Sequence, residues 1–270
     1  RVEGARVRDW PYKPVRGVHV FVPGKEDLPY FKRYMERFLL RYKYNTLFLE
    51  CSGGMRLHRN QEISAGWAWT VDELYAHGET VWETREGCPL GPKRRFQSTP
   101  HRGTAGGEYI EQRDVADICD LARGWNIDVI PEVQSLSHVY YIATPRRDLA
   151  ELPDALFPEA YCPSNPESYR LIRDIFDEYI EVTGCRGLPI GHDEWRVQAS
   201  CPRCKGKHTG DLFARDVIKL WKHLTRRDVD LWMWSDHFVP EHNEKGRVLP
   251  ESGAVWYDYP STEGARDRVA

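Results

Sequence analysis

Leu188-Pro-Ile-Gly-His-Asp-Glu-Trp195 runs from a short apolar stretch straight into two adjacent carboxylates. A buried strand that delivers acids at its C-terminal end is the arrangement α/β barrels use to gather reactive groups. The same pattern recurs outward from it. Asn45-Thr-Leu-Phe-Leu-Glu50 and Asp128-Val-Ile-Pro-Glu132 read as strands ending in glutamate, and Asp230-Leu-Trp-Met-Trp234 is followed closely by Asp236. Arg16-Gly-Val-His-Val-Phe-Val22, stopped by Pro23-Gly24, is the first strand, and Gly253-Ala-Val-Trp-Tyr257 is the sixth.

Between the strands the apolar period changes to that of helices. Phe31, Tyr34, Met35, Phe38, Leu39 and Tyr42 recur at three- and four-residue steps and predict one buried helix face. Further helices are predicted around 111–124, 167–182 and 211–226. Asn165-Pro166 supplies a cap and a first-turn proline for the second of these. Repeated βα units imply a parallel sheet, and no Gly-rich phosphate loop follows the first strand to suggest a nucleotide-binding one. The expectation is a (β/α)8 TIM-like barrel, incomplete here at about six βα units, with further staves beyond Ala270.

At 270 residues the chain suits one catalytic barrel, 1–270. The segment 51–108 is too long for an ordinary βα connection of about 2–6 residues, so it is expected to form an insertion over the mouth. Its Gly-Trp-Ala-Trp at 66–69 offers either sugar-stacking surfaces or simple packing of the insertion. A net charge of −3, with no basic face, argues against nucleic acid and suits a neutral or mildly charged substrate. No stretch approaches the roughly 20 apolar residues a membrane crossing needs. The start at Arg1-Val2-Glu3 reads as trimmed, with no signal-peptide pattern. Seven cysteines exclude a complete intramolecular disulfide framework and favour a reducing, cytoplasmic setting.

Asp193 and Glu194, desolvated and adjacent, should repel unless one takes a proton, so a raised pKa is expected within the pair. A carboxylic acid still protonated near neutral pH is what glycoside hydrolysis needs. Cys201-Pro-Arg-Cys204 has the knuckle spacing of half a structural zinc site, to be completed by His208, Cys88, Cys51 or another group brought in by folding; free thiols or a disulfide are the alternative readings.

Three stretches, Pro131-Glu-Val-Gln-Ser-Leu-Ser-His138, Tyr161-Cys-Pro-Ser-Asn-Pro166 and Ile190-Gly-His-Asp-Glu194, resemble the family-20 glycoside hydrolases in order and spacing. The resemblance covers about residues 14 to 258. Ser137 and His192 each stand where that family has glycine, which marks a divergent member. The resemblance implies removal of a terminal β-linked N-acetylhexosamine from a glycan by substrate-assisted, retaining catalysis, with no cofactor. Glu194 would be acid and base, and Asp193 would orient the acetamido group. Arg16 would grip sugar hydroxyls, His138 would support the acid, and Glu132 and His192 would stand behind them. Trp234 would wall the acetamido pocket. Trp256, Tyr257 and Asp258 would complete it, although the family has one residue between that tyrosine and acid. The alternatives are a glycosidase of the same barrel with another sugar specificity, or a carbohydrate-binding barrel without turnover.

Overall fold

A computed structural model of the chain describes residues 10–83, 101 and 103–238. The predicted strand at 253–257 lies outside them. Five parallel strands, β1 (Gly17–Phe21), β2 (Thr46–Glu50), β3 (Asp128–Glu132), β4 (Gly187–Pro189) and β5 (Asp230–Trp232), stand in sequence order. Registers Gly17↔Thr46 and Thr46↔Asp128 align β1 to β3, and Gly187↔Asp230 aligns β4 with β5. Val133 N donates to Pro189 O at 3.0 Å and Ser135 N to Ile190 O at 2.9 Å, so the two ladders join into one curved sheet. Singly wound parallel order is the topology of an opened barrel rather than of a doubly wound sheet.

The helices are α1 (Leu28–Tyr34), α2 (Gln61–Glu83), α3 (Gln112–Gly124), the single turn α4 (Tyr140–Ala143), α5 (Pro166–Thr183) and α6 (Thr209–Thr225). Among the described residues none is long and apolar enough to cross a membrane. Asn165 caps α5 as its sequence predicts, its Oδ1 accepting from Glu167 N at 3.1 Å, and Gly184 closes the helix in the left-handed region at φ 61°. Ile172, Ile175, Phe176 and Tyr179 are fully buried against the sheet.

The first helix departs from its prediction. Phe31, Met35 and Leu39 are buried, but Phe38 and Tyr42 are exposed. Beyond Tyr34 the helix widens into a π-type stretch, Met35–Leu40. Tyr34 stacks on Phe38 at a centroid spacing of 5.3 Å, and Phe38 meets Tyr42 in a tilted contact at 5.2 Å. Aromatic rings satisfy part of their contact need mutually, so the six-residue stripe divides into a core row and a surface row. The 51–108 segment contributes α2, whose Trp67 is buried and whose Trp69 is half exposed. A Cβ on Gly53 would meet the Trp67 ring and Tyr141 at 2.7 Å, so Trp67 is packing rather than sugar surface.

Candidate active site

Asp193 and Glu194 lie just past β4, and the backbone there leaves the strand conformation. Gly191 has φ 73°, His192 φ 71° and Glu194 φ 47°, while across the cleft Leu136 and His138 stand at 64° and 52°. Left-handed non-glycine residues are uncommon and cost about 1–3 kcal/mol each, so a cluster of them marks a region shaped for something other than stability. Adjacent carboxylates on a regular strand would diverge. Here both reach one imidazole: His138 Nε2 is 3.1 Å from Asp193 Oδ2 and 3.6 Å from Glu194 Oε2.

His138 is also why the predicted mutual repulsion is not the governing force on Asp193. Burial pushes that carboxyl up, but the charge and hydrogen bond of His138, with His101 behind it, outweigh burial and hold it well below the usual range. Glu194 Oε2 meets a second cation, Arg196 Nη1, at 2.8 Å, and its N–H donates to Asp236 Oδ2 at 2.9 Å. Trp195 N donates to His237 Nε2 at 3.0 Å, which fixes the chain just after the acid.

Three residues that sequence reading passed over complete the mouth. His101 returns from the far end of the insertion, bonds Glu50 Oε1 through Nδ1 at 2.5 Å, and stacks on His138 with centroids 4.5 Å apart. His19, on the inner face of β1, places Nε2 2.8 Å from Glu132 Oε2. Arg196 is almost wholly buried beside the acid. His19 was legible in principle, since strand alternation sets it opposite Val18 and Val20, which pack on the core. No local signal marks His101, whose partners are 51 and 37 residues away in the chain.

Glu132 is buried where its sequence reading puts it. Its Oε1 accepts from Trp234 Nε1 and Gln134 Nε2, each at 2.9 Å. Burial pushes Glu132 up, and the same Glu132 hydrogen bond raises His19 above its ordinary value. Trp234 stands half exposed, edge-on to His19 at 5.5 Å, beside a cavity of about 320 Å³ lined also by Phe48, Glu132, Pro189 and Trp232. His192 turns the other way. Its Nε2 bonds Asp216 Oδ2 at 2.9 Å and its Nδ1 lies 3.1 Å from Ser135 Oγ, so it anchors the β4 end to α6 from behind.

Arg16 is not at this mouth. It precedes β1, at the opposite end of the strands, and donates to the carbonyls of Lys43 at 2.7 Å and Lys13 at 3.0 Å. The strand begins one residue after it, and a guanidinium side chain cannot span the strand's length to reach the C-terminal rim. Trp256, Tyr257 and Asp258 lie outside the described residues. Cys201 and Cys204 are buried between β4 and α6, but the groups beside them are Cys162 and Glu151. His208 is instead exposed at the start of α6, Cys51 is buried behind β2, and Cys88 lies outside the described residues.

Residues 66–258 match the family described as Glycosyl hydrolase family 20, catalytic domain. The chain belongs to that family. A lacto-N-biosidase from Bifidobacterium bifidum is 26% identical over 165 residues, which is 56% of this chain and 15% of that protein. A β-N-acetylhexosaminidase from Bacteroides fragilis superposes with a TM-score of 0.63 at 16% identity, over 84% of this chain and 42% of that one. A chitobiase from Flavobacterium johnsoniae gives the same TM-score, identity and share of this chain, over 32% of its own length. This chain therefore spans under half the length of each, and the structural likeness at this identity speaks for the fold.

Proposed function

We propose that this family-20 chain is the catalytic part of a glycoside hydrolase that removes a terminal β-linked N-acetylhexosamine by substrate-assisted, retaining catalysis. The observation that carries this reading is the convergence of Asp193 and Glu194 on His138 at the C-terminal rim. An ionised Asp193 is suited to hold the acetamido N–H and to balance the positive charge of a cyclic oxazolinium intermediate. Glu194 donates a proton to the leaving oxygen and then accepts one from water. To do so its Oε2 exchanges Arg196 Nη1, 2.8 Å away, for the glycosidic oxygen. His138 orients both carboxylates, and Trp234 walls the acetamido group. These steps call on no cofactor.

The barrel in this reading closes to eight staves, with 51–108 forming part of the wall over the mouth and Trp256, Tyr257 and Asp258 contributing from a further strand. A different sugar specificity within the same chemistry has one observation in its favour, since Arg16 bonds the Lys43 carbonyl at the opposite rim and does not itself take the hydroxyl-gripping role. Paired aryl β-glycosides with and without the 2-acetamido group test both readings. Turnover only of the acetamido sugar supports the first, turnover of the plain glycoside alone supports the second, and binding without hydrolysis of either would overturn both.

A further inference from the structure

Three sulfurs and a carboxylate meet where the connection from β4 to α6 packs against the turn that starts α5. Cys162 Sγ lies 3.3 Å from Cys201 Sγ and 3.5 Å from Cys204 Sγ, and all three are free thiols. Glu151 is fully buried beside them. Its Oε2 accepts the N–H groups of Ser200 at 2.9 Å and Cys201 at 2.7 Å, whereas its Oε1 is buried with no hydrogen-bond partner. One ligand atom from each of the four residues lies within 4.8 Å of the others.

Buried thiols alone are ordinary small apolar groups. A buried carboxylate among three of them is not, because thiols are only weak donors and a buried carboxylate costs free energy unless strong donors or a cation meet both its oxygens. The nearby Lys207 does not supply it, since its Nζ bonds Ser164 Oγ at 2.9 Å. Zinc–thiolate bonds of about 2.3 Å in a tetrahedron separate sulfurs by about 3.8 Å, so the two sulfur pairs that Cys162 makes need to open by only a few tenths of an ångström.

We infer that Cys162, Cys201, Cys204 and Glu151 bind one zinc ion as a closed tetrahedral structural site. Three thiol protons leave to solvent on binding, and no redox change occurs. With all four positions taken by protein, no open position remains for a water, so the ion is not a catalytic one. Its place explains what it does. The knuckle ends the irregular stretch that follows β4 and carries Asp193, Glu194 and Arg196, and Cys162 sits in the turn that starts α5. Ala150 and Tyr161 are bridged next to Glu151 and Cys162, so the ion ties the acid-bearing loop to a hydrogen-bonded frame. This inference stands independently of the proposed reaction.

Elemental analysis of the intact protein, purified under reducing conditions, should give one zinc per chain. Chelation should lower the thermal midpoint, and zinc but not magnesium should restore it. Cobalt exchanged into the stripped protein should show thiolate charge-transfer absorption with the intense visible bands of tetrahedral coordination. Cys162→Ser, outside the knuckle, should weaken the charge transfer. Glu151→Gln should keep it and lower zinc affinity about tenfold or more. If the cysteine variant does not fold, the cobalt spectrum of the unaltered protein decides. A protein that gives no thiolate–cobalt absorption, or that joins two of these cysteines in a disulfide, overturns the site.

Discussion

The two rims of the strand arc use the same residue classes in opposite ways. At the C-terminal rim Glu50, Glu132 and Asp193 are buried or half-buried, and each is met by a histidine at 2.5, 2.8 and 3.1 Å. At the N-terminal rim Asp128 and Arg186 are exposed and meet loosely at 3.5 Å, and Arg16 spends its guanidinium on backbone carbonyls. In the first setting Glu132 and Asp193 have their protonation shifted by burial and by the histidines they meet. In the second, water screens each charge and it contributes little. The functional rim is therefore recognised by which charges are desolvated, rather than by where charges occur.

The sharpest way to break this comparison is to alter the two carboxylates separately. Glu194→Gln should lower turnover of natural glycans by about 10²–10⁴-fold through loss of the proton donor. It should be partly rescued on a nitrophenyl glycoside, whose leaving group needs little protonation. Asp193→Asn should lose about 10²–10³-fold on both substrates, because charge support for the intermediate is needed whatever leaves. Steady-state kinetics on the substrate pair separate the roles, and equal losses for both variants on both substrates would contradict them.

Gly191 shapes the rim through its backbone. At φ 73°, with Gln134 Oε1 only 1.7 Å from where a Cβ would stand, alanine there meets both strain and overlap. Gly191→Ala should cost about 2–3 kcal/mol in denaturant unfolding. Shortening the obstacle with Gln134→Ala should recover the overlap but not the strain. Full recovery would mean that the left-handed backbone is not required.

How much of this was legible follows from the range of the interactions involved. The parallel βα order and the α5 cap are local, and periodicity with Asn165-Pro166 was enough to find them. Asp193, Glu194 and Glu132 fall at or just past strand ends, and His138 lies in the stretch that follows β3, so their places are legible in the sequence. The convergence of the two acids is not, since it depends on left-handed residues that composition does not announce. Cys162 lies within a recognisable stretch, but nothing local marks it as a partner of the knuckle 39 residues on. Arg16 shows the reverse error. A residue adjoining the correct strand was assigned to the rim when the strand begins only at Gly17.

A gentler probe of the functional rim is pH. The Glu132 hydrogen bond raises the His19 pKa in the folded state, so the folded protein holds that proton more tightly than the unfolded chain. Stability from this pair is fully present below the unfolded histidine value, about 6.5, and is lost as pH rises through the raised folded value. Denaturant midpoints measured across that window should fall with pH, and His19→Gln should flatten the slope. A slope unchanged by the substitution would assign the dependence to another group.

The smallest expected effect tests the quiet rim. Arg16 donates to the carbonyls of Lys13, Pro14 and Lys43, all at solvent-exposed positions, where water replaces a lost donor cheaply. Arg16→Ala should therefore cost about 1 kcal/mol or less in unfolding free energy, with KM and kcat for the acetamido substrate unchanged. The kinetic half of that expectation matters more than the stability half. A guanidinium that gripped sugar hydroxyls would, on removal, raise KM or lower kcat/KM well beyond any change in folding, because its bidentate bonds would be lost from the bound sugar. Such a rise would mean that the first strand reaches the functional rim in the working enzyme with a register different from Gly17↔Thr46, and the distinction between the two rims would fail at its first residue.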